Sequence, residues 1–255
     1  MKHLPRFFLC TIGCVLLVQA SPTRAFIDEL VQLKQELKLY DTAHAAEFDD
    51  VVGKLEGMAG PSFLDVAERD WFQPYVIAGA QWGLFGGYKD KKGVSTGYFG
   101  PGDPLTVAAA LKISLEAAQI DLQQCPAFPA HAQAKTHWAA TYVSCAELMQ
   151  MRLFSGKKSV DLSRPVLRGE VVGLIHDAFG DKLLPLFSSF KDTANHPYEA
   201  DIATAAARGF IGGDKDREGR TVGTFRPNAV LNRAEMAKVI YERLKVEVRE
   251  EIAQK

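Results

Sequence analysis

The sequence predicts an all-α protein: three helix–loop–helix units around a shared helical core, preceded by an N-terminal helical segment. Three observations carry this reading. A tight turn followed by a helix start occurs twice at one spacing. Gly97-Tyr-Phe-Gly-Pro leads to Val107 and Gly223-Thr-Phe-Arg-Pro leads to Arg233, ten positions in each case (107 − 97 and 233 − 223). An element repeated at fixed spacing is the mark of a repeat architecture. Second, Trp71, Tyr75, Ala78 and Trp82 fall at i, i+4, i+7 and i+11, and the spacing of Trp71, Tyr75 and Val76 returns at Trp138, Tyr142 and Val143. Such positions share one face of a helix. Third, glycine turns suited to ending a helix follow: Gly83-Leu-Phe-Gly-Gly87, Gly209-Phe-Ile-Gly-Gly213 and, displaced by two residues, Leu153-Phe-Ser-Gly156. A unit of about 50 residues cannot bury its apolar faces alone, so the three must share a core.

In chain order, residues 1–25 read as a secretory signal peptide. Lys2 and Arg6 precede an apolar run, Phe7 to Val18, and small residues allow cleavage after Ala20 or Ala25. The run is shorter than the ~20 apolar residues a spanning helix needs, so no membrane span is expected once the signal is removed. In residues 26–60, Phe26, Leu30, Leu33, Leu37 and Tyr40 form one apolar stripe. That pattern predicts an amphipathic helix or helix pair, which packs on the rest or recruits a protein partner through residues 26–58. Gly57, Gly60 and Pro61 close the segment.

The first unit spans 61–118, from Phe63-Leu-Asp65 through the Gly97 turn to a helix beginning near Leu105. Residues 119–134, with Pro126 and Pro129, are a linker. The second unit spans 135–180 with a shortened loop. Gly156 to Arg168 is 12 positions, against 20 from Gly87 to Val107 and from Gly213 to Arg233. It has no Gly-x-Phe-x-Pro turn, and Val166-Leu-Arg-Gly-Glu170 opens its second helix directly. The third unit spans 190–247, from Phe190-Lys-Asp192 through the Gly223 turn to the helix after Asn232.

Hydrophobic residues make up 47% and charged residues 24%, which excludes wholesale disorder, and a net charge of −1 gives no basic surplus for nucleic acid. Of the four cysteines, Cys10 and Cys14 lie in the signal segment. Cys125 and Cys145 remain, as a disulfide or as two buried thiols. Asp214-Lys-Asp216-Arg-Glu218-Gly219 begins like a calcium loop, but Phe225 stands at the twelfth position, where a bidentate glutamate is needed. The histidines show no metal-ligand spacing, and the chain spells no nucleophile elbow or phosphate loop. Neither an enzyme, a cofactor nor a metal site is expected.

The repeated order of Phe-x-Asp, Trp-x-x-x-Tyr-Val, the glycine turn, Gly-[Thr/Tyr]-Phe-x-Pro and a Thr-Arg-Ala-Glu-like helix start resembles the S-layer homology family over residues 61–247. The resemblance implies three repeats in a pseudo-threefold helical spindle. It implies an exported cell-surface protein, in the cell wall or S-layer of the envelope, that binds cell-wall polysaccharide in grooves between repeats. The polymer expected is acidic and pyruvylated, and the role is that of an anchor or adaptor. The glycan-binding set is then Arg168, Arg233, Trp71, Trp138, Glu170, Glu235, Gly212, Gly213 and Phe225. Arg233 follows the N-cap candidate Asn232, and Arg168 is placed alike. Free N–H groups beside a guanidinium suit an anion. Each arginine has a competing role as partner of an acid on a neighbouring repeat. Glu235 has one in a capping box with Asn232. The tryptophans could stack on sugar, although aromatics at helical spacing are more often core. Three departures stand out: Thr106-Val107-Ala-Ala109 in place of a pattern with arginine and glutamate in the first unit, no phenylalanine turn in the second, no tryptophan in the third. They make a degenerate module, used for protein–protein contact or envelope assembly, the alternative.

Overall fold

The computed structural model of the protein describes residues 62–156 and 159–253. The expected signal peptide and the segment at 26–60 lie outside the described residues. Among the described residues there are six α-helices and no strand: α1 (Gln73–Gln81), α2 (Val107–Ala117), α3 (Ala140–Leu148), α4 (Arg168–Phe179), α5 (Glu199–Arg208) and α6 (Arg233–Ala253). The described residues are all-α, as the periodicity predicts, and their helices come in three successive pairs.

Local chemistry sets the helix ends. The Thr106 hydroxyl accepts the Ala109 N–H at 3.2 Å and starts α2. Asn232 and Glu235 form a reciprocal capping box at the start of α6, with bonds of 2.8 and 3.0 Å. At α4 only half of that box exists. Glu170 accepts the Leu167 N–H at 3.0 Å, but leucine has no acceptor to return. Gly180 and Gly209 end α4 and α5 with φ of 64° and 84°, backbone that glycine adopts without strain.

The first helix of each pair packs chiefly on the second helix of another pair: α3 on α2, α5 on α4 and α1 on α6. The arrangement is cyclic, so the first and last pairs meet. α2 also packs on α4 and α6. A closed ring of backbone hydrogen bonds marks the centre. Leu105 N–H donates to the Leu231 carbonyl (3.0 Å), Leu231 N–H to Val166 (3.1 Å) and Val166 N–H to Leu105 (2.9 Å). All three side chains are buried in one continuous core. Each unit thus gives one donor and one acceptor to its neighbours, and no backbone group of the ring is left without a partner.

Two polar clusters tie the periphery to this core. Asp181, just past α4, accepts from Arg208 of α5 (2.7 Å), from Arg243 of α6 (2.8 Å) and from His176 of α4 (2.9 Å). Arg243 is buried, with Phe179 at 4.0 Å from its guanidinium carbon. Burial alone would raise the Asp181 carboxyl; its three partners outweigh burial and hold it well below the usual carboxylate range. The second cluster holds the 119–134 linker, which carries two 3-10 turns, Leu122–Gln124 and Ala132–Ala134. Cys125 and Cys145 are joined as a disulfide, Cα–Cα 5.0 Å, stapling the linker to α3. Glu147 of α3 accepts the Ala130 and His131 N–H groups at 2.6 and 2.9 Å and also bonds the His131 ring.

One expectation fails here. α1 begins at Gln73 and α3 at Ala140, so Trp71 and Trp138 precede their helices and are not members of a buried helical face. Both are exposed, at 56% and 60%.

Candidate functional site at the interfaces between units

The Phe-x-Asp openings and the Gly-x-Phe-x-Pro turns belong to one device. Asp65 grips the first turn with both carboxylate oxygens, accepting the Phe99 and Gly100 N–H groups at 2.7 Å each. Asp192 does the same to Phe225 and Arg226, at 2.9 and 2.8 Å. The gripped residues Gly100 and Arg226 sit at φ of 71° and 56°, a left-handed backbone that costs a non-glycine residue about 1 kcal/mol. The aspartate fixes this conformation and turns the phenylalanine carbonyl to the neighbouring unit.

An arginine from that neighbour occupies each turn. Arg233 of α6 donates from Nε to the Phe99 carbonyl (2.8 Å) and from Nη2 to the Gly86 carbonyl (2.9 Å). Its guanidinium carbon lies 4.5 Å from the centre of the Phe99 ring and 5.1 Å from that of Tyr88. Arg168 of α4 donates from Nε to the Phe225 carbonyl (2.9 Å), lies 4.8 Å from that ring, and pairs with Glu235 at 2.9 Å. Burial lowers both guanidinium pKa values from their ordinary level, and for Arg168 the Glu235 charge opposes the shift. Phe225 itself is buried at 2% exposure, so it seats the arginine and offers no ring face to a ligand.

The third interface lacks both partners at once. Val107 N–H donates to Arg164 O and Ala108 N–H to Leu162 O, both at 3.0 Å. The same two positions of α4 donate to Ala229 and Pro227, and those of α6 to Asp103 and Pro101. By this register Val160 takes the place of Phe225 and Phe99, and Val107 takes that of the arginine. The missing arginine of the first unit and the missing turn of the second are one change, seen from two sides.

A groove of about 570 Å³ opens between the middle and last units, lined among others by Glu170, Asp192, His196, Tyr198 and Asn228. His196 Nδ1 accepts the Tyr198 N–H at 3.2 Å, so its Nε2 carries the proton and donates to Asn228 Oδ1 at 3.2 Å. Gly169 lets this ring approach, since a Cβ there would lie 2.8 Å from His196 Cε1. Burial, then the Glu170 charge, pushes the Tyr198 hydroxyl up to about 12. Glu170 is held by Arg164 through two bonds, 2.8 and 2.6 Å.

The other expected site residues scatter. Gly213 is closed to any side chain, because a Cβ would lie 2.5 Å from Phe190 and 2.8 Å from the Thr224 carbonyl. Gly212 is exposed and unconstrained. Trp71 lies 5.7 Å from the Lys238 ammonium, and Trp138 stands beside His137 and Tyr142. The structure therefore brings Arg168, Phe225 and Glu235 together at one interface, and Arg233, Tyr88 and Phe99 at another. Tyr88, Tyr198, His196 and Asn228 are not among the site residues that the sequence suggests. The signal for His196 was present, since His137-Trp138 and His196-Pro197 each stand just before a helix.

The model of the S-layer homology domain matches residues 62–110 and 189–237. These are the two segments that carry the aspartate-gripped turn. The segment between them, α3 and α4, is not matched. No curated protein matched the chain. S-layer homology domains are non-catalytic modules that bind cell-wall polymers at the cell surface.

Proposed function

We propose that this protein is exported to the cell envelope and binds cell-wall polysaccharide non-covalently through the interfaces between its units, as an anchor or an adaptor. The observation that carries the reading is the coincidence of two findings. The S-layer homology match falls on the first and last units, and each matched turn receives an arginine from its neighbour. In this reading α3 and α4 are a third, diverged repeat, and the cyclic packing is a pseudo-threefold spindle. An acidic polymer bearing pyruvate ketals suits the two guanidinium groups, and the exposed Trp71 and Trp138 offer faces for sugar rings. Residues 26–58 are the part that would recruit cargo. Residues 1–25 direct export.

Co-sedimentation of residues 26–255 with purified cell wall, before and after its polysaccharide is stripped, tests this. Pelleting with the intact wall only is the expected result. Protein that stays in solution with both preparations refutes it. A second reading has its own observation: Arg168 is already paired with Glu235, and at one interface valine stands at the helix position that carries the seated arginine elsewhere. That outcome would leave a scaffold that joins other proteins.

A further inference from the structure

The two seated arginines do not have the same counter-charges. Around Arg168 stand three acids of the last unit. Glu235 is paired with it; Asp214, itself bound to Arg226, and Asp192, the counterpart of Asp65, add to the negative field there, and Arg226 offsets it in part. The first unit keeps the gripping aspartate and replaces Glu235 and Asp214. α2 starts at Val107 and α6 at Arg233, so Ala109 holds the place of Glu235. Tyr88 holds the place of Asp214: Tyr88 N–H donates to Tyr98 O at 2.8 Å as Asp214 N–H donates to Thr224 O at 2.7 Å. Arg233 therefore lies against the Tyr88 ring, with no carboxylate at position 109, where Arg168 pairs with Glu235.

Two carboxylates remain nearby, and both are committed elsewhere. Asp65 is bound to its turn, and Asp103 accepts the Tyr88 hydroxyl at 2.7 Å. Among the described residues Arg233 makes no ion pair, and its Nη1 has no acceptor. It is a guanidinium with two nitrogens fixed on carbonyls and the third free. The fixed part orients the free part, and so lowers the entropy cost of binding an anion.

Resting on the glycan-binding reading above, we infer that recognition of an acidic group belongs to the interface between the last and first units alone. Arg233 receives the anion. Ala109 is the specificity-determining residue that leaves Arg233 open, and Glu235 is the internal anion that already occupies Arg168.

The test uses residues 26–255 and extracted wall polysaccharide in two forms, native and carboxyl-reduced. Wild type binds the native form more tightly, and added salt weakens that binding. A109E supplies the missing carboxylate and lowers affinity for the native form about tenfold or more. E235Q keeps the capping-box geometry, frees Arg168, and binds at least as tightly as wild type. A thermal cycle probes the site without any glycan. A109E raises Tm by about 2 °C, and part of that gain disappears in the R233Q background, because the new pair has lost its cation; the rest is the capping box that the new carboxylate completes with Thr106. Equal binding of wild type and A109E to the native polymer refutes this inference while the glycan reading stands. Binding of neither form by wild type refutes the glycan reading and this assignment with it. A cycle without coupling refutes the open cation whatever the polymer does.

Discussion

Removing the carboxylate of Asp65 tests how the turn is held. Its two bonds to Phe99 and Gly100, each 2.7 Å, join distant parts of the first unit. A hydrogen bond to a charged acceptor contributes about 1.5–3 kcal/mol net. Asp65 is half-buried, so water replaces part of the loss in D65A, and about 3 kcal/mol is the expected cost of losing both bonds. For a domain of this size that corresponds to a fall in Tm of about 6–12 °C. The damage should not stop at the turn, because Arg233 is bound to the carbonyl of the gripped Phe99. D65A and R233A should therefore be coupled by at least about 0.5 kcal/mol when combined. Calorimetry of the four proteins of the cycle measures both quantities. A fall of less than about 2 °C in D65A, or strictly additive effects in the double variant, would refute the view that the aspartate builds the arginine seat.

Three further outcomes are expected. Cys125 and Cys145 close a loop with a sequence separation of 20, so C125S/C145S should lose about 3 kcal/mol in urea unfolding on the chain-entropy account. Asp181 has a depressed folded-state pKa. Its stabilisation is therefore present above the unfolded value of about 3.9 and lost as pH falls from there toward the folded value. D181N removes one of the two carboxylates paired with the buried Arg243 and leaves only Glu247, so it should be less stable than wild type at pH 7, and urea midpoints should show the gap narrowing below about pH 4. Restoring the arginine of the first unit alone should harm the protein. Val107 is fully buried against an interface with no phenylalanine turn, so V107R should cost about 3 kcal/mol or more. An unchanged Tm in V107R would mean that a seat exists there.

Much of the architecture was legible in the sequence, because turns and caps are local. The Gly-x-Phe-x-Pro turns, the Asn232 cap and the glycine stops are written in consecutive residues, and they place the helix pairs. The sites were less legible because their partners are distant. Arg233 and the Phe99 carbonyl are 134 positions apart, and Arg168 and Glu235 are 67 apart. No local pattern announces such a pairing. Trp71 and Trp138 misled for another reason. Their spacing to Tyr75 and Tyr142 is helical, but the helices begin two residues after each tryptophan, and a side chain ahead of the first turn does not lie on the buried stripe.

The cyclic packing also explains why departures from the repeat pattern come in matched pairs. Each interface combines the helix start of one unit with the turn of the next: α2 with Val160–Pro165, α4 with Phe225–Val230 and α6 with Phe99–Pro104. A change on one side removes the reason for its partner on the other. Losing the phenylalanine turn in the middle unit removes the carbonyl and the ring that an arginine at position 107 would need. Valine at 107 then repacks that face at no polar cost. The same logic applies to charge. Glu235 on α6 is the counter-ion of Arg168 across one interface, and the matching Ala109 leaves Arg233 without one across the next. The unit that varies in this fold is therefore the junction between units. Among the described residues, one of the three junctions is apolar, one is electrostatically closed and one is left with a free cation.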